Sequence, residues 1–385
     1  MKTVFSKDDT TAVKGVALLF LLHHHNFCQY TRFQNYEVSF FPFTSEAIVR
    51  TAAFLKICVG MFAFLSAYGL TLSLKKYSPD TCLSGEQTAH YFKNRYIKLM
   101  WGFWFAYIIS CAACALLKPD QFLVYFPIDD TERIVHGIFY IILDFTGISC
   151  LMNSPTLNGT WWYMSLAIFL AAVVPITAKL NKKYGSFYTI VLFLFIPRLI
   201  FLGNHFVVGE STNILRWAFS AFLGVEFAQN DLLAKMKAFK FSSNKYLSKT
   251  LKFLAATLLF IILYSLYRSV GGSFANYCYE FRDCVIPLFV IYYFYDFIID
   301  IPVLRNILIL IGKHSMNIFF IHTFIRLYFF EAFTYSFGNW FLIDFVLLLD
   351  SLAVSIIVEL IKKAVRYDKL MNNVLNTINK SKEVR

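Results

Sequence analysis

Lys14-Gly-Val-Ala-Leu-Leu-Phe-Leu-Leu-His-His-His25 is an apolar stretch that opens on a lysine and closes on three histidines. Each residue advances a helix by about 100° and 1.5 Å. Eleven steps therefore bring His25 back to within about 20° of Lys14, about 16 Å further along. His24 falls about 80° off that face and His23 further round. Leu18, Leu21 and Leu22 occupy the strip between the two ends. If one imidazole works together with Lys14, helical geometry selects His25.

Working outward, the whole chain shares this apolar character. Of 385 residues 58% are hydrophobic, with 44 Phe and 23 Tyr, and only 16% are charged. Soluble domains carry about 25% charged residues, so a water-soluble fold would have to hide more apolar surface than one core can hold. The composition predicts an all-α integral membrane protein. The net charge of +12 does not indicate nucleic acid, because Lys and Arg gather in short loops between apolar runs, where they encode topology. The first apolar run holds three histidines and no small-residue cleavage site, so it reads as a span and not as a cleavable signal peptide. Eight cysteines are scattered. Cys111 and Cys114 have redox-motif spacing but lie inside an apolar run, which favours a structural role. Cys278 and Cys284 flank a predicted outer loop, where a disulfide is open but not required. Three consecutive histidines on a helix cannot all face one ion, and no metal site is expected.

Apolar runs predict spans near 12–28, 47–74, 97–117, 161–180, 186–203, 211–229, 251–269, 284–301, 307–330 and 340–361. The run 134–152 decides the topology. As a full crossing it would put Lys179, Lys182, Lys183 and the lysine-rich linker 230–250 outside. As a re-entrant or interfacial segment it leaves about ten spans, both termini inside and the basic loops on the cytoplasmic face, as the positive-inside rule favours. Asp144 and His136 are then expected at a water-filled outer vestibule. The whole chain, 1–385, reads as a single transmembrane domain with a cytoplasmic tail from about 362. Arg198 and Glu226 are isolated intramembrane charges expected to pair or to line a cavity.

Five stretches together carry a family resemblance. A basic residue, ten residues and a histidine (Lys14…His25) on the first span resemble the membrane-bound acyltransferase 3 family. Phe62-Ala-Phe-Leu-Ser66-Ala-Tyr-Gly69 matches that family's second-span pattern in part, with Ala63 and Ala67 where Phe and Gly are usual. Arg95-Tyr-Ile-Lys98 is similar to the family's cytoplasmic Arg-x-x-Arg, with Lys98 as the second cation. Trp162-Tyr163 resembles the family's aromatic entry to the next helix. Gly312-Lys-His-Ser315 followed by Phe320-Ile-His322 resembles its Gly-Lys-x-Ser…Tyr-Leu-x-His.

The resemblance implies transfer of an acyl group, acetyl above all, from acyl-coenzyme A to a hydroxyl of a cell-surface glycan or lipid-linked saccharide at a bacterial cytoplasmic membrane. Acyl-CoA is then a donor substrate, and no tightly bound cofactor is expected. Imidazole suits such transfer because it can take a proton near working pH, and the resemblance assigns His25 the role of general base or of transient acyl acceptor, with Lys14 beside it in the motif. A guanidinium fork and an ammonium, Arg95 and Lys98, suit the donor's phosphates. His24, Ser66, Trp162, Tyr163 and His322 are expected to shape the acceptor cavity. The alternative from another class is a polysaccharide or lipid-intermediate transporter. The absence of internal repeats and the Lys14–His25 register argue against it.

Overall fold

A computed structural model of the chain describes residues 5–127, 131–203, 214–269 and 279–380. Helix α1, Lys7–Phe27, starts before the apolar run, at Lys7 and not at Ala12. The polar lead-in is its first turn. The Ser6 side chain accepts from the Asp9 backbone N–H at 3.1 Å, and the Asp9 carboxylate accepts from the Ser6 N–H at 2.9 Å. This reciprocal pair satisfies two of the donors that a helix start leaves unpaired. Asp9 also takes a 2.6 Å bond from Arg305.

The remaining helices are α2 (Ser45–Phe54), α3 (Cys58–Leu74), α4 (Gly85–Leu117), α5 (Arg133–Phe145), α6 (Trp162–Gly203), α7 (Phe219–Gln229), α8 (Leu232–Ala238), α9 (Lys245–Ser269), α10 (Ile286–Tyr293), α11 (Pro302–Thr323), α12 (Glu331–Tyr335), α13 (Trp340–Ala364) and α14 (Tyr367–Lys380). No strand occurs among the described residues, only a single bridge between Ser39 and Asn339. By length and composition six segments suit a membrane crossing: Ser45–Leu74, Gly85–Leu117, Gly159–Ile200, Lys245–Leu266, Pro302–Phe329 and Trp340–Ala364. Helix α1 is not among them, because its lysine and terminal histidines lower its mean hydropathy.

At 42 residues α6 would measure about 63 Å, twice the hydrocarbon thickness of about 30 Å. It is in fact two helices meeting at Gly185, whose φ of +82° and ψ of 167° lie outside the helical region. Only glycine adopts that conformation cheaply. Asn181 before the break and Ser186 after it both donate to Glu226, each at 2.8 Å. Glu226 therefore pins this turn and does not line a cavity. Arg198 is likewise not isolated: it makes a two-pronged ion pair with Glu280, one arm at 2.7 Å.

The thirteen residues of α5 reach about 20 Å, short of a bilayer core. One face, with Ile134, Val135, Ile138, Phe139 and Ile142, is exposed, whereas Asp144 is buried. Asp144 does not face a vestibule. Its carboxylate accepts from the Tyr125 hydroxyl (2.5 Å), the Thr156 hydroxyl (2.8 Å) and the Leu157 N–H (2.9 Å), and so ties the loops on either side of α5 together. Buried carboxylates persist only with such partners. Cys284 is buried with a free thiol, and Cys278 lies outside the described residues. Cys111 and Cys114 are free thiols within α4.

Helices α1 and α11 form the central pair, and glycine sets their distance. A Cβ on Gly15 would stand 2.2 Å from the Leu308 carbonyl oxygen, and one on Gly312 would stand 1.9 Å from that of Thr11. Backbones approach this closely only where a side chain is missing on each helix. The two helices run parallel, so a crossing at 11–15 against 308–312 puts His25 level with His322 twelve residues further on. Helix α13 packs antiparallel to α11 through His314–Ser355 (2.9 Å) and Asn317–Glu359 (2.7 Å). On the other side α3 meets α7, where a Cβ on Gly224 would come within 2.4 Å of the Ala67 methyl. The glycine usual at position 67 in the motif is thus replaced by one on the facing helix.

Candidate active site

Helical spacing aims the three histidines of α1 in three directions, and each meets a different neighbour. His23 is buried. Its Nδ1 lies 2.5 Å from the carboxylate of Asp344 on α13, which also accepts from Asn26 at 2.8 Å. His24 donates from Nδ1 to the Ala52 carbonyl of α2 at 2.7 Å. A carbonyl only accepts, so this tautomer is fixed by the partner. His25 has no hydrogen-bond partner for either ring nitrogen among the described residues, and its half-buried ring stands 5.1 Å, centroid to centroid, from that of His322.

His322 is completely buried and fully committed. Its Nδ1 faces the carbonyls of Ile318 (2.9 Å) and Phe319 (3.0 Å), so it carries the proton, and Nε2 accepts from the Thr323 hydroxyl at 3.3 Å. Its orientation is thereby locked, with its ring tilted by 49° to that of His25. From His322 a wall of aromatic rings leads inward: Phe319 at 6.4 Å, then Tyr163 at 5.2 Å from Phe319. The Tyr163 hydroxyl stands 3.5 Å from the Ser66 hydroxyl. The Phe319 ring thus connects the His25–His322 pair to the Ser66–Tyr163 pair.

Trp162 meets the Tyr163 ring edge-on at 6.1 Å and packs on Trp217 at 5.0 Å. Its neighbour Trp161, which sequence reasoning passed over, is the buried anchor: its indole N–H donates to the Phe320 carbonyl at 3.1 Å, as does Asn158. Lys14 does not meet His25. Leu18, Leu21 and Leu22, all fully buried, fill the strip between them. The Lys14 side chain is half-buried and has no ion-pair or hydrogen-bond partner among the described residues.

Arg95 and Lys98 lie on α4 toward the end where α1 begins. Arg95 stacks on Tyr91 at 5.3 Å. The Tyr91 hydroxyl is held by Ser73 (2.8 Å) and by the Leu70 carbonyl (3.0 Å) of α3. Phe5, just before α1, packs on Tyr68 of that same helix at 5.4 Å. Lys98 is exposed. A basic groove of about 590 Å³ at the foot of α13 includes His314, Lys362, Lys363, Arg366 and Lys369. No His/Cys/Asp/Glu group among the described residues is arranged to hold a metal ion.

Two further residues at the histidine end carried no motif. Arg32, in the turn after α1, donates to the carbonyls of His24 (3.3 Å) and His25 and so caps the end of that helix. Arg326 lies in the π turn Phe324–Phe329 that continues α11 and is only 4% exposed. The signal for both was their sign and depth alone, since a cation near the end of an apolar run is usually an anchor.

The bond from His24 makes a prediction. His24→Ala leaves the buried Ala52 carbonyl unpaired and is expected to cost about 1–3 kcal/mol of stability. A lowered thermal midpoint in detergent with transfer per folded molecule unchanged is the expected result. Full stability with transfer lost would put His24, not His25, at the reaction.

A family model described as an acyltransferase domain matches residues 10–360, which takes in every motif named above. Comparisons with curated proteins and with solved structures found no match. With those motifs spread over most of a multi-span helical chain, the chain belongs to the acyltransferase 3 family and is a multi-pass membrane acyltransferase.

Proposed function

We propose that the protein transfers an acyl group, acetyl in the first instance, from acyl-coenzyme A to a hydroxyl of a cell-surface glycan or lipid-linked saccharide. The observation that carries this reading is the state of His25. Among three adjacent imidazoles it is the one without a hydrogen-bond partner among the described residues, and it is half-buried beside an oriented second histidine. A base must keep its lone pair available until the substrate arrives. His25 takes the proton of the attacking hydroxyl. His322 holds one wall, and Ser66 and Tyr163 continue the cavity inward with groups that can hydrogen-bond a saccharide. Trp162, packed on Trp217, supports that wall from behind.

In this reading the chain crosses a bacterial cytoplasmic membrane about ten times, with both termini in the cytoplasm. The two halves of α6 count as separate crossings and α5 lies at the interface. The end that carries Lys14, Arg95 and Lys98 then faces the cytoplasm, where acyl-CoA is found. Arg95 offers its planar fork to a phosphate, and Lys98 and Lys14 add point charges. No observation favours the transporter alternative.

Mass spectrometry of the surface glycans from cells with and without the gene tests the acceptor class. Loss of an acetyl-sized increment from one sugar is expected, and unchanged glycans would refute a glycan acceptor. The donor side is tested separately. Arg95→Ala with Lys98→Ala is expected to weaken acetyl-CoA binding at least tenfold at low salt, where charge effects are largest, while the protein still folds. Unchanged affinity would leave the two cations as topology signals only.

A further inference from the structure

Charge is distributed unusually around the two facing imidazoles. Arg326 is buried, and its Nε–H has no hydrogen-bond partner among the described residues. No carboxylate forms an ion pair with Arg326 or with Arg32 among the described residues, although the other buried cations there have one: Arg216 with Asp283, Lys252 with Asp296 and Lys362 with Glu359. Asp344, an acidic residue at this end, is already taken by His23 and Asn26. The polar neighbour of Arg326 is the Tyr335 phenol, itself donating to the Asn26 carbonyl at 3.1 Å. Arg326 sits one turn beyond His322 on the same helix, and its charge is felt by both His25 and His322. Arg32, bound to the His25 carbonyl, adds a second positive charge.

A buried guanidinium without a counter-ion is costly at membrane depth, and such residues mark places where charge is handled. The π turn that carries it is a further departure from regular helix of the kind found at functional sites. Negative charge near His25 arises in the reaction itself. When a hydroxyl oxygen bonds to the acyl carbon, its proton passes to the imidazole and the carbonyl π pair moves onto the carbonyl oxygen. On collapse that pair re-forms the C=O bond, the C–S bond of the thioester breaks, and the proton passes from imidazolium to the departing thiolate. Protonating an imidazole beside a buried guanidinium is unfavourable unless a negative charge forms between them at the same moment. The oxyanion is that charge.

We propose that Arg326, supported by Arg32, donates to the oxyanion of the acyl-transfer intermediate formed at His25. This rests on the reading of His25 as the base. The preorganised donor lowers the barrier because it needs no reorientation when the charge appears. Arg32, fixed to the end of α1, contributes through its charge and keeps the His25 backbone in place.

The test uses the full-length protein in native membranes, radiolabelled acetyl-CoA as donor, and surface-glycan and glycolipid extract from cells lacking the gene as acceptor. Rates are normalised to folded protein. Arg326→Gln is expected to lower the rate at saturating acetyl-CoA by about 10²–10³-fold, with the half-saturating acetyl-CoA concentration within twofold of wild type. Arg326→Lys, which keeps the charge and loses the fork, is expected to recover at least tenfold of that loss. A Gln variant at wild-type rate, or one whose defect vanishes at high acetyl-CoA, overturns the proposal. If the Gln variant does not fold, the Lys variant decides: a folded Lys variant slowed at least about threefold supports it, and a rate closer to wild type overturns it. If neither folds, Arg326 is structural and the proposal falls. His25→Ala separates the two levels. An active His25→Ala enzyme overturns the reading of the centre, whereas an inactive one beside a fully active Arg326→Gln overturns only the role of Arg326.

Discussion

His25→Ala is expected to lower acyl transfer by at least about 10²–10⁴-fold, the contribution of a positioned acid–base group. Stability should change little, because the imidazole nitrogens of His25 bond to nothing else in the described structure and its ring is half-buried. That combination distinguishes it from its neighbours. His23→Ala leaves the Asp344 carboxylate with Asn26 alone, and His24→Ala strands the Ala52 carbonyl, so both act first through stability. The measurement is acetyl incorporation per folded molecule, with folding followed by size-exclusion profile and thermal midpoint. An active, stable His25→Ala enzyme would remove His25 from the chemistry. His23, oriented by a carboxylate as catalytic imidazoles often are, would become the next candidate base.

Gly312→Val is expected to abolish the folded state. A Cβ at position 312 would stand 1.9 Å from the Thr11 carbonyl oxygen and 2.8 Å from its carbonyl carbon. Both are backbone atoms, so no side chain can swing aside. Overpacking of a core costs about 1–3 kcal/mol when neighbours yield, and here α1 as a whole would have to move away from α11. That displacement would separate His25 from His322, so any molecule that folds should transfer poorly. The control is Gly69→Ala, whose Cβ meets nothing within 4 Å and which should behave as wild type. A stable, monodisperse Gly312→Val protein would mean that the two helices do not cross at this glycine. The Gly-Lys-x-Ser motif is thereby read through its first residue as a helix-crossing point.

Composition and periodicity by themselves determined that the chain is a helical membrane protein, because burial of 58% hydrophobic residues has no other solution at this length. Periodicity also separated His25 from His24 on α1, since angular offset along one helix depends on spacing alone. The motifs identified the family because they lie within single helices or turns, where order in sequence is order in space. The partners across helices were not legible in this way. That Ala52 holds His24 depends on a contact 28 positions away, and that Asp344 holds His23 and that Gly15 and Gly312 bring α1 onto α11 depend on contacts between residues about three hundred positions apart. Nor did sequence distinguish Arg198, Glu226 and Asp144, paired within the protein, from Arg326, which has no counter-ion among the described residues. In sequence each is one ionisable group in or beside an apolar run. Whether it is an anchor, a staple or a participant in chemistry depends on which group faces it after folding, and only the packing of the helices decides that.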